Sequence, residues 1–194
     1  MGITTEEFFQ KVYSVMFSPK NFFEIESENN NFSTRLAIGI VSVMAVINKF
    51  AHAIADNAID GFSFIFTLIW GVICALIMWL VVALFIEYVA KIFDRSSRLQ
   101  KFLYLSAFAS IPSLFFIPIS LLKNLGETGY IISVVLSCLL YIWVIFLYAY
   151  AIKTTYLTTL ARAFMLIFLP IISFILAIYQ IVGFYYKMSY IFSL

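Results

Sequence analysis

Between Phe62 and Ile86 the chain carries no charged residue. As an α-helix that run is about 37 Å long, more than the ~30 Å hydrocarbon core of a bilayer. Backbone that enters lipid must satisfy its own polar groups, so a run of this kind folds as a membrane-crossing helix. Four further apolar stretches share its character. Only 11% of the chain is charged and 64% is hydrophobic, whereas a soluble domain carries about 25% charge. The sequence therefore predicts an all-α polytopic membrane protein. Its five transmembrane helices are expected at about 36–55, 62–90, 102–122, 130–152 and 163–185, behind an amphipathic N-terminal segment, 1–33, on the cytoplasmic side.

The third span is the centre of this pattern. Lys101 and Lys123 bracket an uncharged run that holds Pro112 and Pro118. Each proline removes a helical N–H and pushes away the carbonyl four residues earlier, here those of Phe108 and Leu114. Ser106, Ser110 and Ser113 are within about a turn and are candidates to re-satisfy that backbone. Pro112, Pro118 and, in the last span, Pro170 are the expected kink positions. A kinked, serine-bearing helix is expected to pack inside the bundle; a hinge or cavity lining is the sharper alternative.

The N-terminal segment touches the membrane without crossing it. Thr4 and Glu7 have the spacing of a capping box. Phe8, Phe9, Val12, Tyr13, Met16 and Phe17 recur at helical spacing. Ser18-Pro19 restarts the chain, with Ser as N-cap and Pro at the first helical position. Acidic residues outnumber basic ones here, so affinity for an interface would come from aromatics rather than charge. Residues 4–17 are expected to lie on lipid or on the bundle. Thr4-Thr5-Glu6-Glu7 stands where a signal peptide would be basic, and Glu6 stands where myristoylation requires Ser or Thr. Neither modification is expected.

Candidate chemistry is sparse. Asn48, His52 and Asp56 are four apart and share a helical face. They form either a polar pathway or a helix end emerging into water, and the following loop favours the latter. His52 is the single histidine, so no metal set is completed around it and no cofactor is expected. Gly71, Ala75, Ala83 and Glu87 fall at multiples of four on the second span. They form a candidate helix-packing face, with Glu87 paired to Lys91 and with Trp70 and Trp79 expected to pack. Cys74 and Cys138 both lie in apolar runs and are read as small hydrophobes. No phosphate loop, paired in-span carboxylates or nucleophile–histidine spacing occurs, so an enzyme is not expected. A net charge of +2 gives no reason to expect nucleic acid.

Basic residues set the orientation. Lys11, Lys20, Arg35, Lys91, Arg95, Arg98, Lys101, Lys153 and Arg162 share one side; Lys49, Lys123 and Lys187 share the other. The N-terminus is expected in the cytoplasm and the C-terminus outside. Tyr185, Tyr186, Lys187 and Tyr190 form an expected interfacial belt near the end of the fifth span.

Ser18-Pro19-Lys20-Asn21-Phe22-Phe23 precedes five spans. The third holds Ala109-Ser110-Ile111-Pro112, and the fourth holds Trp143 ahead of Arg162-Ala163. This order resembles the YIP-domain family, the Ypt/Rab-interacting membrane proteins and their prokaryotic relatives, over nearly the whole chain. The resemblance implies an N-in, five-helix membrane domain with no catalytic residues to transfer. Eukaryotic members are similar to trafficking factors that engage small GTPases and shape ER or Golgi membranes, and they carry a long cytosolic N-terminal region. The short form here is similar to bacterial and archaeal members. The expected function is a membrane scaffold or organiser of a prokaryotic inner membrane (ER or Golgi if eukaryotic). Its expected partners are membrane lipids and a protein or a second copy. A small transporter or permease component is the alternative.

Overall fold

The computed structural model describes residues 4–29, 32–55, 61–92 and 98–169, with residues 172, 176, 178–180 and 182 beyond them. For His52, Ile54 and Ala55 only the backbone is described. Helices α1 (Thr5–Phe17), α2 (Pro19–Glu28), α3 (Thr34–Ala55), α4 (Gly61–Ile92), α5 (Leu99–Ala109), α6 (Phe116–Leu121) and α7 (Gly126–Tyr156) follow in order, with no strand among the described residues. A further apolar helix, α8, occupies Leu160–Leu169.

Three helical runs are long and apolar enough to cross a membrane: Thr34–Ala51, Gly61–Ile92 and Leu99–Tyr156. The last has 58 residues, which as one straight helix would be about 87 Å long. It doubles back instead. Gly126, at φ +83°, supplies the left-handed backbone at the reversal that other residues resist. Beyond it α7 returns alongside α5 and α6. The Phe102 ring lies 6.0 Å from Tyr156, and the Phe116 ring 4.8 Å from Tyr141, which fixes an antiparallel register. At the tip, a Cβ on Gly129 would collide with the Leu122 carbonyl, so only glycine admits so close a return. The chain is thus an all-α polytopic membrane protein. The fifth expected span begins in α8 and is described only in part beyond Leu169; Pro170 lies outside the described residues, as do Tyr185, Tyr186, Lys187 and Tyr190.

The break in the third span falls at Pro112. α5 ends at Ala109, Ile111–Phe115 forms a 3₁₀ turn, and α6 starts at Phe116. The serines brace the turn rather than the carbonyls of Phe108 and Leu114 that the prolines are expected to free. Ser110 Oγ donates to the Ala107 carbonyl and Ser113 Oγ to that of Ser110, both at 2.6 Å, and each of these carbonyls also accepts the same serine's backbone N–H. Pro118 falls in the first turn of α6, where an N–H has no intrahelical partner to lose.

α5 is the hub. It packs against α1, α2, α3, α4 and α7, and every residue from Phe102 to Ala109 is buried. Phe8 and Phe22 reach Phe108, Phe23 stacks on Tyr150, and Phe32 meets Tyr104. The ends of α4 and α7 complete this packed head through Ala83, Ile86, Ala90, Leu147, Ile152 and Tyr156. Away from the head the same helices turn large apolar side chains outward: Ile65 to Leu84 on α4 and Tyr130 to Phe146 on α7. Such a surface is stable against hydrocarbon, not water.

Candidate functional site

Polar side chains gather at the head and tie helix to helix. Glu26 rises in α2 one turn after Phe22 and Phe23 and is carried inward with them. It meets Lys11 of α1 at 2.7 Å. Tyr104 of α5 closes the group: its hydroxyl donates to Glu26 Oε2 at 3.0 Å and accepts from Lys11 Nζ at 3.0 Å. Burial works against the Lys11 charge, but the hydrogen bonds to Glu26 and Tyr104 outweigh it and raise its pKa. In front of this triad lies a groove of about 570 Å³ between α1 and α2, lined by Gln10, Ser14, Asn21 and Asn29 among others.

A second cluster joins α4, α5 and α7. Glu87, at 3% exposure, accepts from the Tyr156 hydroxyl at 2.6 Å and from the Arg98 backbone N–H at 3.4 Å. The Arg98 guanidinium donates to the Thr155 carbonyl at 3.1 Å. Lys91 stands 3.9 Å from Glu87 Oε1, within ion-pair reach but too far for a hydrogen bond. That oxygen and Thr155 Oγ1 are buried without a hydrogen-bond partner. Between the two clusters Trp79 Nε1 donates to Ser106 Oγ at 3.0 Å, pinning α4 to α5.

The residues singled out from sequence fall as follows. Gly71, Ala83 and Glu87 are buried and Ala75 is half-buried, while Trp70 faces outward. Gly71 lies under the Lys49 stem of α3, which occupies the space a Cβ would need. Asn48 is half-buried, with Oδ1 unpartnered. Asp56 and the His52 side chain lie outside the described residues. Cys74 and Cys138 are free thiols. No metal-binding group of three occurs among the described residues.

Sequence reading missed Glu26, Tyr104 and Tyr156. Glu26 carried a signal: a carboxylate three and four residues after two aromatics shares their face. Tyr104 and Tyr156 carried none, because a tyrosine in an apolar run looks the same whether its hydroxyl meets a carboxylate or an interface.

Basic residues gather at both ends of the bundle. Lys11, Lys91, Arg98, Lys101 and Lys153 all make contacts within the head. Lys49 and Lys123 lie toward the opposite end, near Gly71 and the Gly126 reversal.

A five-sided hub, a short N-terminal hairpin and a doubled third run are the architecture to be placed among known proteins. The Yip1 domain matches residues 13–181. The chain belongs to the Yip1 domain family. The match begins within α1 and takes in both polar clusters except Lys11, so the head is built almost entirely of Yip1-domain residues. No curated protein and no solved structure matches the chain.

Proposed function

We propose that this Yip1-domain protein is a non-enzymatic scaffold, holding protein or lipid partners at the cytoplasmic face of the membrane it crosses. Its N-terminus and packed head face the cytoplasm. The inner membrane of a prokaryote suits the short form. One observation carries the reading: the described ionisable and aromatic polar groups of the interior are used to lock helices together at one end. Lys11, Glu26 and Tyr104 join α1, α2 and α5; Glu87 and Tyr156 join α4 and α7. A protein that moves an ion or solute needs such groups near the midplane. Here α4 and α7 are uncharged from Phe62 to Ile86 and from Tyr130 to Ile152.

Asn48, His52 and Asp56 are proposed as a wet helix end, and Gly71, Ala75, Ala83 and Glu87 as a packing face between helices. Chemical crosslinking in native membranes, followed by purification, should recover a defined protein partner or a second copy. Protein in liposomes should show no proton or solute flux that depends on His52 or Asp56. A reproducible flux abolished by His52→Ala, with the protein still folded, would replace the scaffold by a transporter. Orientation is read separately: in sealed cells a thiol at Glu24→Cys should resist external reagents while one at Thr128→Cys reacts.

A further inference from the structure

The outer side of α1 is unused by the packing described so far. Phe8, Val12, Val15 and Met16 point into the core, which fixes the rotation of the helix. That rotation leaves Phe9, Tyr13 and Phe17 on an outer flank, exposed by 64%, 64% and 70%. They are four residues apart and so form one stripe, with the Tyr13 and Phe17 rings 4.6 Å from each other.

The level at which α1 docks says what covers the stripe. α1 packs on the 3₁₀ turn Ile111–Phe115 as well as on α5. From that turn Leu114 and Phe115 point outward. The contact of Phe116 with Tyr141 places the turn beside the head-proximal end of α7's outward-facing run, where Ile142, Trp143 and Phe146 are exposed. Just beyond, from Leu147, α7 is largely buried by protein. α1 and its stripe therefore stand at the level of the rim of the lipid-facing surface, where amphipathic aromatics are most stable.

We propose that α1 is an interfacial anchor: Phe9, Tyr13 and Phe17 seat in the headgroup–acyl boundary of the membrane that the bundle crosses. Charge takes little part. Lys11, the basic residue of α1, is held by Glu26 and Tyr104, and Glu6 and Glu7 are acidic. The anchor works by apolar insertion and does not require anionic lipid. This inference is independent of the scaffold reading.

The test uses the full chain in nanodiscs of phosphatidylcholine, with Cys74 and Cys138 changed to Ala. Nitroxide labels are placed singly at Phe9→Cys, Tyr13→Cys and Phe17→Cys, with Asn21→Cys and Glu24→Cys as controls. Collision with oxygen should exceed collision with a water-soluble nickel chelate at the three stripe positions. The reverse should hold at the two controls. Adding phosphatidylglycerol should leave the pattern unchanged. Nickel-dominated collisions at the stripe would overturn the proposal, as would burial that appears only with anionic lipid. Spin–spin broadening between copies, with both relaxants excluded, would assign the stripe to a second copy and also overturn it. The unsubstituted chain gives an independent reading: photoactivatable phosphatidylcholine should leave adducts on the tryptic segment Val12–Lys20, and their absence counts against the anchor.

Discussion

α5 and the first half of α7 have similar side chains and opposite surroundings. From Phe102 to Ala109 every residue of α5 is buried, on all sides. From Tyr130 to Phe146, α7 exposes most of its large apolar side chains. In water the second pattern would be a failure of folding. In a bilayer it is the expected state, because lipid solvates Ile and Phe as well as a protein core does. Hydropathy thus reports which segments leave water, and packing decides which of them leave lipid too. What separates the two regions is polar: the head holds the ion pair, the carboxylate–tyrosine bond and the indole–serine bond, and the exposed half of α7 holds no such tie.

The largest effect should come from the hub. Phe108→Ala empties a site enclosed by Phe8, Phe22 and Tyr104, at a cost of about 3–5 kcal/mol. Ile142→Ala on the lipid-facing side of α7 should cost no more than about 0.5 kcal/mol in a bilayer. Unfolding of both variants in bicelles measures the contrast directly. Equal losses would mean that the two regions share one kind of packing.

Next come the charges of the head. Lys11→Met leaves Glu26 buried beside Tyr104 without its cation, and should cost about 2 kcal/mol, the buried-pair figure reduced because Lys11 is partly exposed. The double change Lys11→Met with Glu26→Leu should recover most of that loss, since an apolar replacement removes both desolvation costs. The raised pKa of Lys11 adds a sign: its contribution is complete below the ordinary lysine value of 10.5 and fades only as pH climbs through the raised one. A double-mutant cycle that shows no coupling would break the account of the triad.

Trp79→Phe removes the bond to Ser106 and should cost about 0.6–1 kcal/mol, small because the alternative partners of a membrane protein are also polar. The smallest effect belongs to the cap of α1. Thr4 N–H and hydroxyl hold the Glu7 carboxyl below its ordinary pKa of 4.5. The Thr4 N–H bond to that carboxylate is therefore at full strength above that value and weakens as pH falls through the lowered one, while the bond from the Glu7 N–H to the Thr4 hydroxyl does not titrate. Amide exchange at Thr4, taken relative to its intrinsic rate at each pH, should rise in acid, while the same ratio in α5 stays low.

Much of this was legible in the sequence, for reasons that particular residues make plain. The all-α polytopic class followed from charge-free runs, since nothing but a helix satisfies backbone in lipid along Phe62–Ile86. The capping box at Thr4 and Glu7 was readable because its partners are three residues apart. Ser18 shows the limit of the same local reading: Pro19 does open α2, but the Ser18 side chain makes no cap bond, and its backbone N–H instead closes α1 on Ser14. The Pro112 break was legible, and its 3₁₀ form was not, because the serines that stabilise it could equally have faced a neighbour. Trp70 was expected to pack and faces outward, since lipid accepts an indole that water would not. Longer-range ties were hidden. Nothing in residues 11, 26 and 104 announces that they meet, and the partner of Glu87 that sequence suggests, Lys91, is the more distant one.

The Lys11–Tyr104 contact spans 93 residues of chain, and that separation is also an interval of time. At a synthesis rate of about 5–20 residues per second, α1 and α2 leave the ribosome roughly 5–20 s before the segment they dock on. Through that wait Phe8, Val12, Phe22 and Phe23 have no core to enter. The nascent hairpin must be sheltered, and the membrane beside the emerging chain is the surface at hand. If α1 is the proposed anchor, assembly of the head is a transfer of one aromatic face from lipid to α5, with the neighbouring stripe left where it first landed.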